Sequence, residues 1–118
     1  MIRLRLDRLK TVKKADLKII NAIKQTLKET YSPSRLFLFG SRADGTAKKD
    51  SDYDFVMVVP GKKKHSVEDL GKAINLIWDK HQISADIFIY SEKEFADWKD
   101  EFSSIPELAL NTGKEIEL

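Results

Sequence analysis

The N-terminal third of the chain carries apolar residues at helical spacing. Between residues 12 and 30 they recur every three or four positions with lysines opposite, which predicts an amphipathic helix. Ser32-Pro33 marks its end, because the residue before a proline is disfavoured in helical conformation. The apolar stripe consists of Ile19, Ile20, Ile23 and Leu27.

Two shorter segments, residues 36–39 and 55–59, are apolar at consecutive positions, and a third strand is expected over residues 85–90. Such runs are typical of strands that are covered on both faces. Pro60-Gly61 ends the second run. We therefore expect three buried strands with helices packed on both sides of them.

Capping patterns mark the helices that follow. Ser66 to Asp69 and Ser91 to Glu94 both form capping boxes, and a last helix is expected to begin near Ser104 and to end before Gly113. In the first of these helices Leu70, Ala73, Ile74 and Ile77 are expected to face the core. Four aromatic residues are expected in the core as well: Trp78, Phe95, Trp98 and Phe102.

The order of elements predicts how the strands pair. A helix of about 16 residues joins strands two and three, which is the length of a parallel crossover. The first pair of strands is expected to be antiparallel. The prediction is a single α/β (α+β) domain over residues 1–118, with a small mixed β-sheet packed with helices.

Composition narrows the classes of protein. The chain has 118 residues, 42% of them apolar and 34% charged, with a formal net charge of only +2. A dedicated nucleic-acid module usually concentrates more positive charge, so we expect no nucleic-acid partner. Cysteine is absent, and no apolar run reaches the length of a membrane span. We expect a cytoplasmic protein without a membrane partner.

Residues 1–14 form a basic N-terminal arm with interleaved leucines. Alternation over residues 2–6 suits a short strand, and the spacing of Leu6 and Leu9 suits a helical turn equally well. The sequence leaves the secondary structure of the arm open.

The candidate chemistry lies between the first two strands. Gly40-Ser41 leaves strand one as a tight turn, and Asp52 and Asp54 open strand two. Side chains at i and i+2 of a strand project from one face about 7 Å apart, so these carboxylates can bind one or two magnesium ions. Backbone N–H groups at the Gly-Ser turn can hold a phosphate tail. The pattern predicts a site for a metal-bound nucleoside triphosphate.

A third carboxylate is expected at the same place. Parallel strands start at the same edge of a sheet, and Asp86 lies at the start of strand three. Asp52, Asp54 and Asp86 should therefore meet at one edge, to which the end of strand one also brings Gly40-Ser41.

These motifs resemble the nucleotidyltransferase superfamily of DNA polymerase β. The sequence GSRADGTA, followed by SDYDF, is similar to the motif of its minimal nucleotidyltransferases. These proteins are often paired with HEPN proteins in toxin–antitoxin modules. The resemblance implies that Gly40 and Ser41 contact the β- and γ-phosphates and that Asp52 and Asp54 bind magnesium. It also implies that Asp86 completes the second metal site.

Two further positions bear on the resemblance. Arg42 is expected to contact phosphate, with solvated surface as the alternative. Asp44 departs from the family pattern, because many relatives carry a basic residue there that can approach phosphates. An acid at this position is expected to weaken nucleotide binding or to alter its selectivity.

The resemblance implies an antitoxin enzyme that transfers AMP from ATP, with Mg²⁺, to a hydroxyl of a HEPN-type protein partner. Asp86 is expected to help deprotonate that hydroxyl. One alternative is a non-catalytic antitoxin that neutralises its partner by complex formation. The other is the catalytic subunit of a two-protein nucleotidyltransferase for small molecules. Homo- or hetero-oligomers are compatible with each.

Overall fold

A computed structural model describes residues 11–118. The sheet is built from the three predicted strands and one more: β1 (Arg35–Phe39), β2 (Tyr53–Val59), β3 (Ala85–Ser91) and β4 (Lys114–Ile116). The helices are α1 (Lys14–Tyr31), α2 (Ser41–Asp44), α3 (Val67–His81), α4 (Glu92–Trp98) and α5 (Ile105–Thr112). The prediction of an α/β fold with a mixed sheet is confirmed.

The strand order is β3-β2-β1-β4. β1 pairs antiparallel with β2 and with β4, and β2 pairs parallel with β3. The crossover helix α3 therefore joins parallel strands, as its length predicted. Most of the basic arm, residues 1–10, lies outside the described residues, as does the choice between strand and helix there.

The sheet separates two apolar layers. Phe55, Met57 and Val59 of β2 point to the layer formed with α1 and α3. Val56 and Val58 point the other way and pack with Phe95 of α4 and Ala109 of α5. Side chains of a strand alternate between its faces, which explains why the strands are apolar at consecutive positions.

The predicted caps start the helices. The Ser66 hydroxyl accepts the backbone N–H of Asp69, and the Asp69 carboxylate accepts that of Ser66. Ser91 and Glu94 form the same reciprocal pair at α4. Each box satisfies N–H groups that have no partner inside the helix.

The prediction that four aromatic side chains are core is right only for Phe95. Trp78, Trp98 and Phe102 are 52%, 52% and 92% exposed. α4 ends at Trp98, so Phe102 lies in the turn beyond the helix and not on its apolar face. On α3, Trp78 is one position past the buried Ile77, which turns it about 100° away from the core.

Candidate functional site

Strand register places the predicted carboxylates at one edge of the sheet. Asp54 of β2 lies directly opposite Asp86 of β3, and on its other side it lies opposite Phe39, the last residue of β1. Gly40 and Ser41 follow Phe39 and therefore reach the same edge. The structure thus brings Gly40, Asp54 and Asp86 to the same edge of the sheet, and Asp52 lies just before β2.

Gly40 fits this place because it has no side chain. Its φ of 74° and ψ of −158° fall in a region that is populated almost only by glycine. A Cβ built on Gly40 would also overlap Oδ2 of Asp54. The close approach of the β1 turn to the Asp54 carboxylate therefore depends on glycine.

The turn after Gly40 is the short helix α2, which the sequence did not predict. The backbone N–H groups of Ala43 and Asp44 donate to the carbonyl of Gly40, and Ala43 is buried. In the described part of the chain, no hydrogen bond holds the half-buried hydroxyl of Ser41. The hydroxyl can therefore turn towards a ligand at the carboxylate edge.

The carboxylates repel one another at this edge. The pKa of Asp54 is raised to about 6, first by burial and then by the nearby charges of Asp86 and Asp52. Asp54 is half-buried, whereas Asp52 and Asp86 are exposed. A site that gathers negative charge in this way is suited to a cation.

Aromatic rings lie next to the carboxylates on the same face. Phe39 and Phe88 are half-buried, with ring centroids 6.0 Å apart. Phe39 lies opposite Asp54 in the ladder, and Phe88 is two residues after Asp86. Apolar rings next to the carboxylates are consistent with burial as the largest cause of the raised pKa of Asp54.

Arg42 points away from this edge and into the protein. Its guanidinium forms an ion pair with Asp16 of α1 at 3.2 Å, and its side chain is only 11% exposed. The guanidinium also lies 4.4 Å from the centre of the Tyr53 ring and donates to the carbonyl of Ser51 at 2.8 Å. The sequence predicted a phosphate contact or solvated surface, and these internal contacts fit neither description.

Comparison with known proteins identifies the family. The sequence profile of the nucleotidyltransferase domain matches residues 20–111, which include all of the predicted site. The chain belongs to the nucleotidyltransferase domain family. No curated protein matches it significantly.

A solved structure agrees with this assignment. The chain is similar to a protein from Sulfolobus solfataricus that is provisionally described as a nucleotidyltransferase, with 25% sequence identity and a TM-score of 0.51. The match covers 70% of this chain and 73% of that one. The fold is therefore that of the polymerase β-like nucleotidyltransferases. The resemblance seen in the sequence is confirmed at the level of the superfamily.

Domains of this family generally act on nucleoside triphosphates with divalent metals. Among residues 11–118, no group of three or more His, Cys, Asp or Glu side chains is already close enough to hold an ion. The carboxylates of Asp54 and Asp86 face each other across the β2–β3 ladder, while the exposed Asp52 precedes β2. Oxygen donors of this kind fit magnesium, and a cation between them would relieve the repulsion that raises the pKa of Asp54.

Asp44, the departure from the family pattern, is used within its own turn. Its carboxylate accepts the backbone N–H and the hydroxyl of Thr46, and these bonds lower its pKa. The charge of Lys114 on β4 acts in the same direction. The acid therefore stabilises the end of α2.

The sequence interpretation missed Asp16 and Tyr53. Asp16 continues the apolar stripe of α1 towards its N-terminus, since positions 16, 20, 23 and 27 share one helical face. An acid on an apolar face needs a buried partner, and this signal was available in the sequence. Tyr53 faces the α1/α3 layer because it alternates with Asp52 and Asp54 along the chain.

None of the helices in the described part of the chain is both long and apolar enough to span a membrane.

Proposed function

We propose that the protein transfers a nucleoside monophosphate, AMP from ATP, to a hydroxyl group of a partner protein. The observation that carries this proposal is the register of the sheet edge, where Asp54 lies opposite Asp86 and next to Gly40. Membership of the nucleotidyltransferase family supports nucleotide transfer in general. The nucleotide, the acceptor and the partner are parts of the proposal.

The residues of the edge take separate roles. Asp52, Asp54 and Asp86 would hold magnesium, and Gly40 with Ser41 would hold the β- and γ-phosphates. Bound magnesium would polarise the α-phosphate and neutralise charge on the leaving pyrophosphate. Asp86 is exposed, so its carboxylate is accessible to accept the proton of an incoming hydroxyl.

A protein acceptor is supported by an exposed aromatic patch, which consists of Trp98 and Phe102. The two side chains are 52% and 92% exposed, and Asp97, Asp100 and Glu101 surround them in the sequence. Exposed aromatic residues of this size are enriched at protein–protein interfaces. Of these acids, Asp97 pairs with Lys93 and Asp100 with Lys99. A partner surface with an apolar centre would fit the patch, and we propose a HEPN-type protein as that partner.

Label transfer tests the proposal. The protein is incubated with ATP labelled at the α-phosphate, magnesium and the product of the adjacent gene. We expect label on the partner, and loss of that label in the double variant Asp52→Ala/Asp54→Ala. Asp79→Asn is the matched control, because Asp79 is an exposed acid on α3. Undiminished transfer by the double variant would show that the carboxylate edge is not the site.

A second function follows from the aromatic patch alone. An antitoxin could neutralise its partner by covering it, without any transfer. The two functions separate in cells that produce the partner together with Asp54→Asn. Protection by this variant supports neutralisation by binding, and loss of protection with unchanged complex formation supports catalysis.

A further inference from the structure

We propose that Arg42 is a positioning residue, which with Asp16 and Tyr53 fixes the phosphate turn against the carboxylate strand. This inference rests on the proposed function for the role of that edge. It differs from the sequence interpretation, in which Arg42 contacts phosphate directly. The contacts of the guanidinium carry the argument.

The guanidinium uses all three of its nitrogens inside the protein. Nη1 donates to Asp16 Oδ1 at 3.2 Å, and Nε donates to the carbonyl of Ser51 at 3.2 Å. Nη2 donates to the carbonyls of Ser51 at 2.8 Å and Lys49 at 3.2 Å. A phosphate contact would require Arg42 to give up several of these bonds.

Tyr53 closes the network from the other side. Its hydroxyl donates to the same Asp16 Oδ1 at 2.6 Å, and its ring lies under the Arg42 guanidinium. One carboxylate oxygen on α1 thus joins α2 to the start of β2.

The ion pair is buried, with side-chain exposures of 11% for Arg42 and 6% for Asp16. Removal of one partner of a buried pair leaves the other charge buried and uncompensated. Because separation of the two groups is costly, such a pair is a strong geometric constraint. The pair lies beneath the loop that begins at Gly40-Ser41 and ends at the predicted metal ligands. Tyr53 stands between Asp52 and Asp54 in the chain, so the position of Tyr53 fixes the backbone from which both carboxylates project.

The consequence for transfer follows from geometry. Reacting groups must be aligned closely, and a misplacement of about 1 Å can cost about 100-fold in rate. Loosening the network should therefore lower kcat, because the phosphate turn and the carboxylates would no longer be held in their relative positions. Binding of the triphosphate should change much less, because the Arg42 guanidinium and the Tyr53 hydroxyl are both hydrogen-bonded to groups inside the protein.

Conservative variants test this proposal without emptying the core. Arg42→Lys keeps the charge but loses the planar guanidinium that lies over the Tyr53 ring and donates several hydrogen bonds at once. Tyr53→Phe removes only the hydroxyl. The matched control is Arg35→Lys. Arg35 also forms an ion pair, with Glu115 at 2.8 Å, and lies 4.8 Å over the ring of Phe37. This pair is more exposed than that of Arg42, and it stands at the opposite end of β1 from Gly40.

Two readouts are combined. Transfer kinetics with ATP and the partner should show kcat reduced roughly 10- to 100-fold in both network variants, with KM for ATP nearly unchanged. The double variant should be little worse than the more severe single one, because both changes break the same unit. Amide NMR should show displaced signals for Gly40 and Asp54 in both variants and unchanged signals in Arg35→Lys.

The outcomes separate the hypotheses. A large rise in KM for ATP in Arg42→Lys, with wild-type kinetics and spectra in Tyr53→Phe, would make Arg42 a phosphate contact and overturn the proposal. An equal loss of kcat in Arg35→Lys would also overturn it, because it would indicate that lower stability in general reduces transfer. If the wild type transfers no nucleotide, the proposed function fails, and the NMR signals of Gly40 and Asp54 still decide whether the network positions the edge.

Discussion

Substitution of Gly40 by alanine probes the contact between the phosphate turn and the carboxylates. The backbone of Gly40 lies at φ 74° and ψ −158°, where a residue with a side chain is strained by about 1–3 kcal/mol. For a domain of this size that loss lowers the melting temperature by roughly 3–6 °C per kcal/mol. The added Cβ would overlap Asp54 Oδ2, so the Asp54 carboxylate would have to move from its present position.

Two other glycines provide matched controls. Gly61 has a φ of 99°, and a Cβ at this position would have no neighbouring atom within 4 Å, so Gly61→Ala carries the backbone strain without the overlap. Gly71 lies in α3 with open space as well, and Gly71→Ala should stabilise the protein by about 0.5–1 kcal/mol. Comparison of the three variants separates strain from displacement of Asp54.

The assay combines thermal unfolding with nucleotide transfer under conditions where each variant is folded. We expect Gly40→Ala and Gly61→Ala to lose similar stability, while only Gly40→Ala loses transfer, by about 100-fold or more. Wild-type transfer by folded Gly40→Ala would refute the reasoning, because transfer would then not depend on the present position of the Asp54 carboxylate.

Three further predictions concern the charges and the exposed aromatic residues. Since the pKa of Asp54 is raised to about 6 from an ordinary 3.8, the folded state is penalised when this group ionises, and the penalty is complete only above pH 6. Asp54→Asn should therefore raise the melting temperature above pH 6 and much less near pH 3.8; a gain independent of pH would contradict this cause. Millimolar magnesium should raise the melting temperature of the wild type but not that of Asp54→Asn in thermal scans, and equal shifts would place the ion elsewhere. Trp98→Ala and Phe102→Ala should change stability by less than about 0.5 kcal/mol but weaken partner binding in calorimetry, whereas unchanged affinity would exclude the aromatic patch as the interface.

The sheet and most helices were predictable because their signals are local or periodic. Consecutive apolar residues marked β1 and β2, a largely apolar segment after the crossover helix marked β3, and capping boxes marked the starts of α3 and α4. The parallel crossover then placed Asp86 beside Asp54 without any knowledge of tertiary contacts.

The elements that the sequence interpretation missed are short or depend on distant partners. α2 is four residues long and β4 three, so neither is long enough to show a period. β4 exists because β1 offers it an open edge, a fact of tertiary structure. The exposure of Trp98 and Phe102 depends on where α4 ends, which the apolar spacing did not show.

Arg42 shows why type and position alone do not settle the role of a site residue. Beside Gly40-Ser41 an arginine suggests a phosphate contact, and only the buried Asp16 reveals another use for it. The two residues are 26 positions apart in the chain.

The central claim is that the edge of Asp52, Asp54 and Asp86 supports transfer of a nucleoside monophosphate. The most direct measurement compares ATP labelled at the α-phosphate with ATP labelled at the γ-phosphate, in the presence of magnesium and the partner protein. We predict that the α-label appears on the partner and the γ-label is released in pyrophosphate. Transfer of the γ-label, or no transfer of either label by a wild type that binds its partner, would contradict the account.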